Sequence, residues 1–127
     1  MKTECSSDFV KLNGKSYPCT LSLTMDLVGG KWKAVILYHL KDGAKRYSEL
    51  RKEMPSVTEM TLSLQLKQLE KDGLVSRKVQ GKKPPIKVEY NLTDYGSTLV
   101  PVLEAITQWG NQTILDKGEF LKEINSK

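Results

Sequence analysis

The chain has 127 residues, of which 39% are hydrophobic and 28% charged, and it carries a net charge of +5; this is one domain with its own core and little to spare. The longest uninterrupted apolar run, Ala34 to Tyr38, is far too short to span a bilayer, and Met1-Lys2-Thr3-Glu4-Cys5-Ser6 has no apolar region behind its charge, so neither a membrane span nor a secretory signal is expected and the location reads as cytoplasmic. Two cysteines are too few for a disulfide scaffold and one histidine leaves no four-ligand zinc set, so no metal and no cofactor are expected.

Residues 1–18 are polar with few periodic apolar positions and read as an arm. Leu21, Met25 and Val28 recur at helical spacing after Pro18, with Thr20 or Cys19 as cap, and Gly29-Gly30 stop that helix. A second helix runs from about Lys31 to Lys41 with Trp32, Val35, Ile36, His39 and Leu40 as a broad apolar face; His39 reads as a satisfied core residue. Asp42-Gly43 break it, and Ala44 to Tyr47 is a short strand. Ser48 is an N-cap for a third helix, Glu49 to Met54, with Leu50 and Met54 turned inward.

Pro55-Ser56-Val57 is a turn. Thr58 caps a fourth helix, although Ser56 with Glu59 also forms a capping box, so the start is open by two residues. Leu62, Leu66 and Leu69 form its apolar stripe, and Gly73 ends it. Two segments then read as strands, Leu74 to Gln80 and Ile86 to Leu92, the second alternating cleanly. Gly81-Lys82-Lys83-Pro84-Pro85 joins them. Thr93-Asp94 cap a last long helix striped by Leu99, Leu103, Ile106 and Trp109, with Gly96 and Pro101 predicting a late start or a bend. Asp116 to Lys127 adds a short helix through Phe120, Leu121 and Ile124. The predicted fold is mainly α with a small β-hairpin (α+β): a winged helix-turn-helix that dimerises through its terminal helices. It is a single domain over 1–127, with an arm at 1–18, a DNA-binding core and wing at 19–92, and dimerisation helices at 93–127.

Charge is unevenly placed. Residues 31–57 carry +4 (seven basic, three acidic) and residues 74–92 carry +4 (five basic, one acidic), while residues 58–73 sum to −1 and residues 93–127 to −2. A basic surface on either side of the fourth helix points to a polyanion met by one side of the molecule.

On that helix, Met60, Leu64, Lys67 and Lys71 point away from the core stripe, with Thr61, Ser63 and Gln68 on the shoulders. A recognition helix offers its N-terminal half to base edges. Gln65 and Gln68 suit adenine; Met60, Thr61 and Leu64 suit a thymine methyl. Leu64 is a fault on a free-standing helix and makes sense where double-stranded DNA dries the site. Ser48 and its helix turn, with Thr58, suit phosphate, and Lys45, Arg46, Lys52, Lys82, Lys83 and Lys87 supply further phosphate contacts. Leu99, Val102, Leu103, Ile106 and Trp109, joined by Leu21 and Met25, offer a homodimer surface.

Several motifs, in order, resemble the HxlR-type transcription regulators, relatives of the MarR group. They are Pro18-Cys19, Gly29-Gly30-Lys31-Trp32-Lys33, Lys45-Arg46-Tyr47-Ser48-Glu49-Leu50-Arg51, Leu66-Lys67-x-Leu69-Glu70-x-Asp72-Gly73-Leu74-Val75, Pro84-Pro85-x-x-Val88-Glu89-Tyr90-x-Leu92-Thr93-x-Tyr95-Gly96, Pro101-Val102-Leu103 and Trp109-Gly110. The resemblance covers roughly residues 18 to 110. It implies a winged-helix homodimer on a pseudo-palindromic operator. It also implies a redox- or electrophile-responsive cysteine at Cys19, answering an oxidant or a small electrophile; a helix N-terminus and nearby Lys15 favour the thiolate there. The family pattern has a basic residue near Met60 and a proline or tyrosine near Gln80-Gly81, which this chain lacks. The competing reading is a winged-helix protein-interaction module. An enzyme is disfavoured: there are no paired carboxylates at useful spacing, no glycine-rich phosphate loop and no partner for His39 in the sequence pattern.

Overall fold

The computed structural model describes residues 9–121. It opens on a feature unlike the expected arm, a β-hairpin of β1 (Val10–Leu12) and β2 (Lys15–Tyr17). Asn13-Gly14 forms its two-residue turn, with φ of 51° and 80°. Both angles are positive, as the hairpin turn that follows strand twist requires, and Asn-Gly is the pair that tolerates this. The apolar signal that would have marked the strands is only Val10, Leu12 and Tyr17, too short to stand out by period.

Helix α1 (Thr20–Val28) has Cys19 as its N-cap, and α2 (Lys33–His39) follows the Gly29-Gly30 break. Strand β3 (Lys45–Arg46) leads directly into α3 (Tyr47–Glu53). That helix therefore starts one residue before Ser48, which sits inside its first turn and is not the cap: Glu49 reaches back to accept from the Arg46 backbone N–H at 2.8 Å. Helix α4 (Glu59–Lys71) has Thr58 as cap, its Oγ1 accepting from the Thr61 N–H at 3.1 Å. Strands β4 (Val75–Gln80) and β5 (Lys87–Leu92) pair antiparallel, with Val75 opposite Leu92 and Gln80 opposite Lys87. Strand β3 adds to the other edge of β5, giving the order β3-β5-β4.

The last predicted helix is two. A short α5 (Asp94–Ser97) precedes α6 (Val100–Lys117), with Pro101 in the first turn of α6, where the lost N–H has no helical partner to forgo. Gly96 is required by contact: any Cβ there would run into the Leu74 carbonyl oxygen. Thr93 fastens the same corner, donating its hydroxyl to the Gly73 carbonyl at 2.6 Å while its Oγ1 accepts from the Gly96 N–H at 2.9 Å. Beyond Lys117 the chain is not helical as far as Leu121, and Phe120 and Leu121 are exposed. The predicted helix from Asp116 is thus absent from the described part; Ile124 lies outside it.

The core joins Leu27 and Val28 of α1, Ile36 and Leu37 of α2 with Leu40, Leu50 of α3 with Met54, Val57, the α4 stripe, Leu74, Val75, Tyr90 and Leu103. Leu103, expected on a dimer surface, is only 3% exposed and belongs to the protomer's own core, with Leu99 half-buried beside it. His39 is not a core residue: it lies half-buried at the helix end with Nδ1 2.9 Å from Glu53 Oε1. Helices α3 and α4, followed by the β4–β5 wing, make this a winged helix-turn-helix. Among the described residues no helix is long and apolar enough to cross a membrane.

Candidate nucleic-acid interface

The interface is built outward from a fixed turn. The Arg51 guanidinium donates to the Val57 carbonyl at 2.5 Å, and the Val57 N–H donates to the Met54 carbonyl at 3.2 Å, so two hydrogen bonds pin the α3–α4 turn. On α4, Leu62, Leu66 and Leu69 are at most 1% exposed. Once these three are buried, the helical period dictates what faces outward. Met60 is 81% and Leu64 51% exposed, so Leu64 is not part of the protomer's buried core. Ser63, Lys67, Gln68 and Lys71 are also exposed, and Thr61 and Gln65 are half-buried on the flanks.

Tyr47, at the start of α3, holds this helix in place. Its hydroxyl donates to the Glu59 carbonyl at 3.2 Å and lies 3.1 Å from Ser63 Oγ. In the sequence it stands within the Lys45–Arg51 motif without a role of its own, because a tyrosine after Lys-Arg shows none until the turn brings α4 across it.

The cations divide into two groups. Lys45, a predicted phosphate contact, is committed elsewhere: its Nζ is 2.7 Å from Glu53 Oε2 and only 25% of its side chain is exposed. The Glu53 carboxylate raises the Lys45 pKa, and Lys45 first, with His39, holds the Glu53 carboxyl below its ordinary value. Arg46, Lys52, Lys67, Lys82, Lys83 and Lys87 are exposed. None of them has an ion-pair partner among the described residues. Lys82 and Lys83 sit in the loop at the wing tip.

Two clefts border the wing. One, about 360 Å³, runs between Arg46, Tyr47 and Ser48 on one side and Pro85 to Val88 on the other, so that Ser48, Arg46 and Lys87 line one cleft. The second, about 310 Å³, lies between α4 and the wing base and is lined by Ser63, Lys67, Glu70, Arg77 and Tyr90. Arg77 is the cation that sequence reading missed. The alternation of Val75, Arg77 and Val79 was the available signal, since it puts Arg77 on the inner face of β4. Gln68 and Lys71 fall at the far end of α4, in a third cleft with Lys15, Asp26, Lys33 and Asp72, away from the wing.

Cys19 is fully buried at the head of α1, its Sγ accepting from the Ser22 N–H at 3.4 Å, and it is disulfide-bonded rather than a free thiol. Two residues before it, the Tyr17 hydroxyl donates to Asp26 Oδ2 at 2.6 Å.

Comparison with known proteins gives a consistent result. The family model described as HxlR-like helix-turn-helix matches residues 27–117. The chain is 45% identical over 111 residues to YdeP of Bacillus subtilis (strain 168), an uncharacterised HTH-type transcriptional regulator, covering 86% of each protein. Among solved structures, the oxidised form of the redox regulator HypR is 46% identical with a TM-score of 0.70, covering 74% of this chain and 96% of that one. The reduced form of the transcriptional regulator YodB from B. subtilis is 32% identical with a TM-score of 0.65, covering 73% and 90% respectively.

Proposed function

Because this chain belongs to the HxlR-like helix-turn-helix family of transcriptional regulators, which are not enzymes, we propose that it acts as a homodimer on a pseudo-palindromic DNA operator and answers oxidants or electrophiles through Cys19. The observation that carries the DNA reading is the outward face of α4. Met60 and Leu64 are solvent-exposed apolar side chains opposite a fully buried stripe, with Thr61, Ser63 and Gln65 beside them. This is a mixed apolar and hydrogen-bonding surface of the kind that reads base edges. Cations of the wing and Arg46, without an ion-pair partner among the described residues, flank it and supply affinity without sequence choice.

The dimer reading rests on α6. Val102, Ile106 and Trp109 are 41%, 52% and 73% exposed at helical spacing, with Leu115 further along and Val35 on α2 beside them. A contiguous apolar stripe of this kind marks an interaction surface, and an isologous one pairs with its own copy. Leu21 and Met25 on α1 are exposed as well, at 64% and 53%.

The redox reading has two supports. The similar protein HypR is a redox regulator by its title, and Cys19 caps α1, so cycling between disulfide and thiol changes the group that holds the start of that helix.

The test is selection of bound fragments from a genomic library, followed by anisotropy titration of a selected duplex with reduced and oxidised protein. Saturable, sequence-selective binding that changes with oxidation in the wild type, and not in Cys19→Ser, is the expected result. Failure to bind any duplex at low salt leaves a protein partner for the α4 face as the better reading.

A further inference from the structure

We propose that the cleft between α4 and the base of the wing binds one backbone phosphate of the DNA, with Arg77 as its principal ligand and Lys67 as its second. This rests on the DNA-binding reading above and adds a site to it.

Strand register places the arginine. Arg77 on β4 lies directly opposite Tyr90 on β5, and opposed residues of an antiparallel pair project to the same face. Tyr90 is buried on the core face at 8% exposure, so Arg77 leaves the sheet on that side, beside the ring, while remaining exposed itself. There its guanidinium borders the cleft that both residues line with Ser63, Lys67 and Glu70.

Charge makes the cleft an anion site. Lys67 and Arg77 face a single carboxylate, Glu70, and no hydrogen bond or ion pair joins the three to one another. Lys15, Lys41 and Lys45, by contrast, each already hold a carboxylate within 3.3 Å. A guanidinium without an ion-pair partner among the described residues keeps its planar fork of donors available, and that fork matches two oxygens of one phosphate.

Position selects the ligand. A helix seated in the major groove and a wing reaching the neighbouring minor groove are separated by one sugar-phosphate strand. In this fold that strand crosses the gap between α4 and β4–β5, which is the cleft. Glu70 at its edge opposes the phosphate charge and sets a limit on affinity.

The test is an anisotropy titration of a selected operator duplex and a scrambled duplex of equal length, over a series of salt concentrations. Arg77→Ala is expected to weaken both duplexes alike, by about ten-fold at low salt, and to flatten the slope of log affinity against log salt by about 0.9, the contribution of one phosphate. Glu70→Gln is expected to tighten both duplexes. Arg77→Lys should keep the slope of the wild type with reduced affinity, since the charge remains and the fork is lost. An unchanged slope for folded Arg77→Ala overturns the proposal, and so does a loss confined to the operator, which would mean a base contact. Should Arg77→Ala fail to fold, weaker or unchanged binding by Glu70→Gln overturns it. Wild-type protein that binds neither duplex removes the DNA-binding reading itself.

Discussion

Tyr47 and Tyr17 show how single hydroxyls position larger parts. Tyr47 ties the start of α3 to the Glu59 carbonyl and to Ser63, so it sets where the first turns of α4 stand. Tyr47→Phe removes those bonds and leaves the ring. It should cost about 0.5–1.5 kcal/mol of stability, read as a lower denaturant midpoint at unchanged slope, together with weaker operator binding. Tyr17 is held differently. Its hydrogen bond to Asp26 is the main reason its pKa is pushed up to about 12 from 10.0. A tyrosine that binds its proton more tightly when folded contributes stability below pH 10, and the contribution is lost as pH rises toward 12. Asp26, held below its ordinary 3.8 by Tyr17 and then Lys15, acts in the opposite sense: its contribution is present above that value and lost as pH falls below it. Asp26→Asn should therefore flatten the stability profile at both ends. A denaturation series showing the same alkaline fall in wild type and variant would count against the Tyr17–Asp26 bond.

At the level of elements, the wing and α4 divide the work in the proposed DNA complex. Helix α4 has two basic and three acidic residues in its segment, 58–73, so it offers little net attraction to DNA, whereas the flanking segments are each +4. Removing two exposed lysines from the wing tip, Lys82→Ala with Lys83→Ala, should weaken all duplexes alike and reduce the salt slope by up to about 1.8. Substitutions at Met60 or Leu64 should instead change which sequences bind. Two-salt mobility-shift titrations separate these cases: unchanged binding by the double variant would take the wing tip out of the interface. The N-terminal hairpin β1–β2 packs on α1 and carries Tyr17 two residues before Cys19. Chemistry at the sulfur and the seating of α1 are thus linked through covalent neighbours and one short hydrogen bond.

For the whole molecule, the proposed operator complex requires two copies to pair, because one winged-helix protomer reads one half-site. The exposed stripe of Val102, Ile106 and Trp109 on α6 faces away from the protomer's core, while Leu99 and Leu103 on the same helix face into it. Trp109, the largest and most exposed of the stripe, is the residue to test. Trp109→Asp should convert the proposed dimer to a monomer and reduce operator affinity by about ten-fold or more, since the second half-site no longer assists the first. Light scattering that still finds a dimer would move the interface elsewhere.

The chain by itself determined the order of elements from α1 to β5 and the two faces of α4, but not the N-terminal hairpin or the division of the last helix into α5 and α6. Helical period and a cap residue are local properties, and Leu62, Leu66, Leu69, Thr58 and Gly73 express them within one segment. All three strands of the sheet were legible in the sequence, but not the pairing of β3 with the free edge of β5. Other features were decided only when distant segments met. Lys45 reads as a free cation until Glu53 comes within 2.7 Å of it. Leu103 and Trp109 are equivalent apolar positions on one stripe until α2 covers the former and leaves the latter exposed. Arg77 is an ordinary strand arginine until pairing with Tyr90 turns it toward α4. In each case the deciding quantity is whether a partner approaches closely enough to neutralise a charge or exclude water, and that depends on packing between elements far apart in sequence.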